Sequence, residues 1–304
     1  MSFFLIVYTF NSRAYVIFYK THMGKLLAVD LDGTLFYPKG IKHCIPKKNV
    51  KFLQDFIDAG NRVVLITSRS TQFTDKLKFE INRDVDIMNC TSAQMYSASG
   101  ECIREEAMNK EDLKAILDYL DKEHRPLAYL LTSKDYPCIV KQNVKVGKLL
   151  MGIYKLYWHF QFCYREPYVF SNELFDEEVN NSKTFKVMVF FGLGRNKKTV
   201  SRDINKLLRE KHPDIESSWS QIVNELTPKD CNKGDGLEYY CNHMGIDKKD
   251  VIVVGDSGND IAMFKKFHEN SYVMAHAYPS VKKYAKYVVS RVFKLRKYVL
   301  EGAK

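Results

Sequence analysis

Four residues, Leu26-Leu27-Ala28-Val29, run without a polar side chain and lead straight into Asp30-Leu31-Asp32-Gly33-Thr34. A strand that is apolar at every position has to bury both of its faces. That is the situation of a strand in a parallel sheet covered by helices on either side. The pattern recurs. Arg62-Val63-Val64-Leu65-Ile66 leads into Thr67, and Val251-Ile252-Val253-Val254 into Gly255-Asp256. Asp86-Ile87-Met88-Asn89-Cys90 and Tyr272-Val273-Met274-Ala275 read as further strands of the same kind.

Between these runs the spacing turns helical. It predicts helices over 47–59, closed by Gly60-Asn61, and over 72–81. The first part of the chain therefore reads βαβαβ, which implies a parallel sheet with right-handed crossovers. From about residue 107 to 226 the rhythm changes. Helices over 109–122 and 199–211, the second ended by His212-Pro213, mix with strand-like runs at 128–132 and 185–191. After Lys233 the βα rhythm returns, with helices expected over 236–244 and 261–267. The expected organisation is one α/β domain, residues 24–106 and 227–304, interrupted by an α+β insertion at 107–226.

Asp30 and Asp32 stand two residues apart where a buried strand ends. Residues i and i+2 of an extended chain share a side, and open α/β sheets bind ligands at the carboxyl ends of their strands. Two carboxylates there suit acid–base and metal chemistry. Gly33 lets the chain turn sharply, and Thr34 offers a hydroxyl and an amide to an anion. Alone, Asp-x-Asp-Gly-Thr is also consistent with a polar turn that caps a helix. Three more signals follow in order. Thr67 has a hydroxyl suited to a phosphoryl oxygen, or to a simple helix cap. Lys233, beside Gly234 and ahead of a helix, offers a cation to a phosphate and a carboxylate, or is one more surface lysine. Gly255-Asp256-Ser257-Gly258-Asn259-Asp260 supplies hard oxygen ligands for Mg²⁺, or a polar turn.

In this order the four signals resemble the four motifs of the haloacid dehalogenase-like hydrolases. Their wording resembles the Cof-type subfamily, whose large cap lies between the second and third motifs. Leu226-Thr227-Pro228-Lys229-Asp230-Cys231-Asn232-Lys233-Gly234 resembles the approach to the third motif. Gly255 to Asp260 followed by Met263 resembles the fourth, and Val273-Met274-Ala275, Ala277 and Val281-Lys282 stand where the subfamily has them. The resemblance covers residues 24–95 and 226–290, and the insertion agrees in position and size. It implies an α/β fold: a Rossmann-like, doubly wound parallel sheet with an inserted α+β cap of the C2B type.

It also implies a cytoplasmic, Mg²⁺-dependent phosphomonoester hydrolase. The expected substrates are small phosphorylated metabolites, either sugar phosphates or phosphorylated cofactors. By position, Asp30 is the expected nucleophile, forming an aspartyl-phosphate. Asp32 is the expected acid for the leaving alcohol and then the base for water. Mg²⁺ is expected on the Asp30 carboxylate, the Asp32 carbonyl and Asp256. Thr67 and Lys233 are expected on the transferred phosphoryl oxygens, with Gly33, Thr34, Ser68 and Asn259 supporting the phosphate. Asp260 is expected to orient Lys233 or the metal's surroundings. Asp32 argues against haloalkanoic acid dehalogenation, in which no alkoxide needs a proton. Three places depart from the family's usual wording: Thr67-Ser68-Arg69 for Thr-Gly-Arg, Thr91-Ser92-Ala93 for Asn-Gly-Ala, and His276-Ala277 for Asn-Ala. They border the site and bear on substrate choice.

Two other functions compete. Related phosphohexomutases share the two aspartates, and the formal net charge of +11 suits a phospho-ligand or nucleic-acid binder without catalysis. No nucleic-acid motif is visible, and the basic residues are dispersed. Seven cysteines without a CxxC pair suggest reduced thiols rather than a disulfide framework or a zinc site. The apolar run at 3–10 is too short to span a bilayer. With the first core strand at Lys25, Met23 is the expected natural start, and 1–23 a non-native or disordered extension. In the insertion, 149–164 is rich in aromatics: Tyr154, Tyr157, Trp158, Phe160, Phe162 and Tyr164. They suit stacking on a ring, but a helix face of Leu149, Ile153, Leu156 and Phe160 in the cap core is the favoured reading.

Overall fold

The computed structural model describes residues 3–10, 13–20, 24–143, 152, 162–192, 195–220 and 223–301. The main sheet has eight strands. In spatial order they are Tyr287–Val289, Ser271–Met274, Val251–Gly255, Leu26–Asp30, Arg62–Ile66, Asp86–Asn89, Gln94–Tyr96 and Cys102–Glu105. The first six run parallel, and the last two add an antiparallel meander. The strand that comes first in this sheet's sequence thus lies in its middle. The chain builds outward on one side through Arg62–Ile66 and Asp86–Asn89. It returns much later to build the other side, starting with Val251–Gly255. This reversal beside Leu26–Asp30 is a topological switch point, where carboxyl-end loops diverge and leave a crevice.

Continuous apolar strands follow from having both faces covered. Leu27, Val29, Val63, Leu65, Ile252 and Val254 face one core, with Phe52, Leu53 and Phe56 of the helix Lys47–Asp58. Leu26, Ala28, Val64, Ile66, Val251 and Val253 face the other, with Leu237, Tyr240 and Cys241 of the helix Lys233–Met244 and with Met263 and Phe264. The alternation by residue number is the two-residue period of a strand.

The insertion forms a second, six-stranded sheet in the order Val169–Phe170, Ile139–Gln142, Ala128–Ser133, Thr184–Phe190, Val223–Pro228 and Ile215–Ser220. Its pairings are antiparallel except that between Val169–Phe170 and Ile139–Gln142. Leu113, Ile116 and Leu120 of the helix Lys110–Glu123, Phe175 and Val179 of the helix Asn172–Asn181, and Ile204 and Leu208 of the helix Arg195–Lys211 cover one face, against Tyr129, Leu131, Val187, Val189 and Leu226. Lys186 and Glu225, of opposite parity, contact the first domain.

Tyr154, Tyr157, Trp158 and Phe160 of the aromatic stretch lie outside the described residues. Tyr164 is described, and it belongs to the core rather than to the cap. Its ring lies 5.2 Å from that of Phe36, and its hydroxyl accepts from Gly40 N at 2.9 Å and donates to the Cys44 carbonyl at 3.1 Å. Among the described residues no helix is long and apolar enough to cross a membrane.

Residues Phe3–Phe10 and Arg13–Lys20 pair antiparallel, from Phe3 opposite Lys20 to Phe10 opposite Arg13. Within 1–23, expected as a non-native or disordered extension, the two apolar runs flanking Asn11-Ser12 form a hairpin. It is a sheet of its own and pairs with neither larger sheet. Removing residues 1–22 is therefore expected to leave the melting temperature within about 2 °C of the full chain, with unchanged hydrolysis. Thermal unfolding and an activity assay on the shortened protein check this.

Candidate active site

Strand register places the first site residue. Val29 lies opposite Val254, and Asp30 opposite Ile66, so Asp30 ends the central strand at the switch point. The chain then turns tightly through Leu31–Leu35, with Gly33 at φ +84°. A Cβ on Gly33 would lie 2.3 Å from the Asp256 Oδ2. Glycine is thus required twice, by the left-handed backbone and by the approach of Asp256. Thr34 donates its hydroxyl to Asp256 Oδ1 at 3.3 Å.

Lys233 comes from the other half of the domain. Its helix starts at Lys233 itself, three residues ahead of the expected 236. Asn232 caps it, accepting from the amides of Gly234 at 3.0 Å and Asp235 at 2.9 Å. Lys233 has 0% exposure, and its ammonium donates to Asp30 Oδ1 at 2.5 Å and Asp260 Oδ1 at 2.6 Å. Asp260 Oδ2 accepts from the amides of Asp256 and Ser257, each at 2.9 Å. Asp260 is thereby occupied in holding Lys233 and its own loop. Asn259 turns its carbonyl oxygen to the Ser257 hydroxyl at 2.7 Å.

The charges do not balance. Asp30, Asp256 and Asp260 offer oxygens that all lie within 4.8 Å of one another, against the single ammonium of Lys233. Burial drives the Asp30 carboxyl well above its usual value. Lys233 opposes this, while Asp260 and Asp256 add to it. Burial and then Asp260 push Asp256 up to about 6. Burial works against the Lys233 ammonium, but Asp260 and Asp30 outweigh it and raise its pKa. Asp30 Oδ2 is buried without a hydrogen-bond partner. Excess negative charge, hard oxygen donors and an orphaned carboxylate oxygen fit a divalent cation.

Thr67 directly follows Ile66, the residue opposite Asp30, just past the end of the neighbouring strand, and is buried. Its amide donates to the Met88 carbonyl, its carbonyl accepts from Thr91 N, and its hydroxyl accepts from Arg69 N. For Ser68 the contact is its carbonyl, which accepts from the Lys186 ammonium of the cap.

Asp32 does not meet the acidic cluster. Its side chain, 44% exposed, forms a two-pronged pair with Arg69, Nε to Oδ2 at 2.7 Å and Nη2 to Oδ1 at 2.8 Å. Burial acts to raise the Asp32 pKa, but the Arg69 hydrogen bonds and charge outweigh it and lower the value. Arg69 also donates to the Tyr164 carbonyl at 2.7 Å and reaches Glu166 at 3.4 Å. Arg69, two residues after Thr67, thus joins the site without a local sequence signal that marks it. His276, one of the departures noted above, brings Nε2 to 3.6 Å from Asp256 Oδ2, and its ring lies tilted by 35° against that of Tyr37 with centroids 4.0 Å apart.

A buried Asp–Lys–Asp arrangement at a switch point, with a third carboxylate and a threonine on the flanking loops, defines a class of phosphoryl-handling α/β hydrolases. The sequence agrees with the profile of the haloacid dehalogenase-like hydrolases over residues 27–292. The chain belongs to that family and is a phosphatase within it. It is 25% identical over 262 residues to a 5-amino-6-(5-phospho-D-ribitylamino)uracil phosphatase of Bacillus subtilis, covering 79% of this chain and 84% of that protein. Solved structures share its fold. BT1666 of Bacteroides thetaiotaomicron, among the phosphatases of this superfamily, superposes with a TM-score of 0.71 at 17% identity, over 92% of this chain and 96% of that one. The subclass IIB sugar phosphatase BT4131 gives 0.67 at 20% identity, over 90% and 98%.

Two measurements follow from the charge balance. Lys233→Met leaves two buried carboxylates without their cation, and a loss of about 3–5 kcal/mol is expected in urea unfolding of the metal-free protein. A loss below about 1 kcal/mol would contradict the assigned burial. The second concerns pH. Asp256 holds its proton more tightly folded than unfolded, so between its ordinary value of 3.8 and about 6 its contribution to stability falls as pH rises. A cation binds the ionised form, so Mg²⁺ is expected to raise the melting temperature more at about pH 7.5 than at about pH 5. Equal shifts at both would refute the linkage.

Proposed function

We propose that the protein is a Mg²⁺-dependent phosphomonoester hydrolase that works through a phosphorylated Asp30. The observation that carries this reading is Asp30 itself. It is a buried carboxylate with one oxygen steadied by Lys233 and the other without a partner, at the mouth of the switch-point crevice.

A carboxylate oxygen of Asp30 attacks phosphorus, and the bond from phosphorus to the ester oxygen breaks. Asp32 gives its proton to the departing alkoxide, so the products of this half are an alcohol and an aspartyl-phosphate. Asp32 then takes a proton from water as the water attacks phosphorus, which frees Asp30 and inorganic phosphate. To serve as the acid, Asp32 has to leave its ion pair with Arg69 or share it with the incoming phosphate. Thr67 and Lys233 hold the transferred phosphoryl oxygens. Gly33, Thr34, Ser68 and Asn259 shape the turn around them. Asp30, the Asp32 carbonyl and Asp256 would hold Mg²⁺, with Asp260 in support. When bound, the ion offsets the negative charge of phosphate and carboxylate as they approach.

The substrate class is small phosphorylated metabolites. The B. subtilis relative is named for a phosphorylated ribitylamino-uracil, and BT4131 is described as a sugar phosphatase. The net charge of +11 favours anionic ligands through long-range attraction.

The test is phosphate release from a panel of phosphomonoesters with and without Mg²⁺, wild type beside Asp30→Asn. Release that stops with a chelator, and falls by about 10³-fold or more in the variant, is the expected result. Folded wild type that releases no phosphate from any member overturns the reading.

A further inference from the structure

After the strand Asp86–Asn89 the chain enters a turn whose backbone is costly. Cys90, Thr91 and Ser92 have φ of +47°, +59° and +95°. This region brings Cβ against the backbone, and a β-branched residue such as Thr91 suffers most. Such a turn persists where its surroundings hold it. Within the core, Cys90 N donates to the Arg69 carbonyl at 3.0 Å, Thr91 N to the Thr67 carbonyl at 2.9 Å, and the Ser92 hydroxyl to the Asn232 carbonyl at 3.1 Å.

One further bond comes from the cap. The Thr91 hydroxyl donates to Glu225 Oε1 at 3.0 Å. Lys186, on the adjacent cap strand and only 7% exposed, donates to the Ser68 carbonyl and lies 4.0 Å from Glu225. Two charged cap residues thus touch the two turns on either side of Thr67. Both contacts are charge-assisted hydrogen bonds to neutral groups, which are stronger than neutral pairs.

We propose that Lys186 and Glu225 are positioning residues: by seating on the Ser68 and Thr91 turns, the cap sets the place of Thr67. The phosphoryl-binding hydroxyl then reaches its working geometry with the cap docked, and the strained turn is the part that moves when the cap leaves. This rests on the phosphatase reading. It adds that the cap acts on the core's own machinery through Lys186 and Glu225.

The experiment uses the full chain with Mg²⁺ and has two readouts. The first is amide hydrogen exchange over residues 67–70 and 90–93, which needs no turnover. Glu225→Ala and Thr91→Val are each expected to speed exchange there by about tenfold or more, while Glu225→Gln, which keeps an acceptor oxygen, and Thr91→Ser, which keeps the hydroxyl, stay near wild type. Unchanged exchange in Glu225→Ala overturns the proposal. The second readout is hydrolysis of p-nitrophenyl phosphate. Thr91→Val and Glu225→Ala are each expected to lower kcat about tenfold with KM within about twofold, and the double variant no further than the lower single. A rise in KM alone, or losses that multiply in the double variant, overturns it. If wild type turns nothing over while exchange responds as expected, the phosphatase reading fails and the mechanical link between cap and Thr67 stands.

Discussion

The ammonium of Lys233 lies between the carboxylates of Asp30 and Asp260, at 2.5 and 2.6 Å, with no exposure to water. A buried cation is tolerable only with its counter-charges in place, so three segments must meet at this point: the end of the central strand, the first turn of the helix Lys233–Met244, and the loop after Val251–Gly255. Small residues make the approach feasible. A Cβ on Gly234 would lie 2.6 Å from the Ala262 backbone, one on Gly236 2.2 Å from the Ser92 side chain, and one on Gly255 2.4 Å from Asp260 Cγ. The same closeness carries the constraint outward. Because the helix abuts Ser92, the strained turn is fixed against it, and the cap meets that turn through Glu225. Charge pairing, sheet topology and cap docking are therefore parts of one geometric requirement.

Much of the core was legible in the sequence, for a simple reason. An apolar run that ends in a carboxylate has few physical explanations, and here several such runs occur in an order that an α/β sheet can use. Asp30, Asp256, Asp260 and Lys233 come together as their places at strand and helix ends suggest. The start of the third-motif helix was harder to read. Lys233-Gly234-Asp235-Gly236 carries two glycines, each a poor helix former, so local propensity points to a later start. The Asn232 cap and the close packing outweigh that propensity.

What stayed hidden is the set of contacts between ordinary charged residues on distant segments. Nothing local marks Arg69 as the partner of Asp32, Lys186 as a ligand of the Ser68 carbonyl, or Glu225 as the acceptor for Thr91. The chain has 47 lysines and arginines, and composition cannot say which are buried. Tyr164 misleads in a similar way. In sequence it closes an aromatic stretch of the insertion, yet its hydroxyl binds the loop of Gly40 and Cys44 in the other domain. The departures at Ser68 and Thr91 gain a physical setting, since both are places where the cap touches the core.

The central position of the first core strand also governs how the protein is made. Leu26–Asp30 finds one neighbour soon, in Arg62–Ile66, but its other neighbour is Val251–Gly255, on the far side of the insertion. Asp30 and Lys233 are 203 residues apart in sequence. During synthesis the inserted domain can complete its own local pairings while the sheet that carries the nucleophile still has an open flank of apolar strand. Contacts of such long separation form late and slowly, and unpaired edges of this kind invite association with other chains. The arrangement that gathers the reacting groups at one crevice thus leaves one flank of the central strand without its neighbour until the chain's last quarter has emerged.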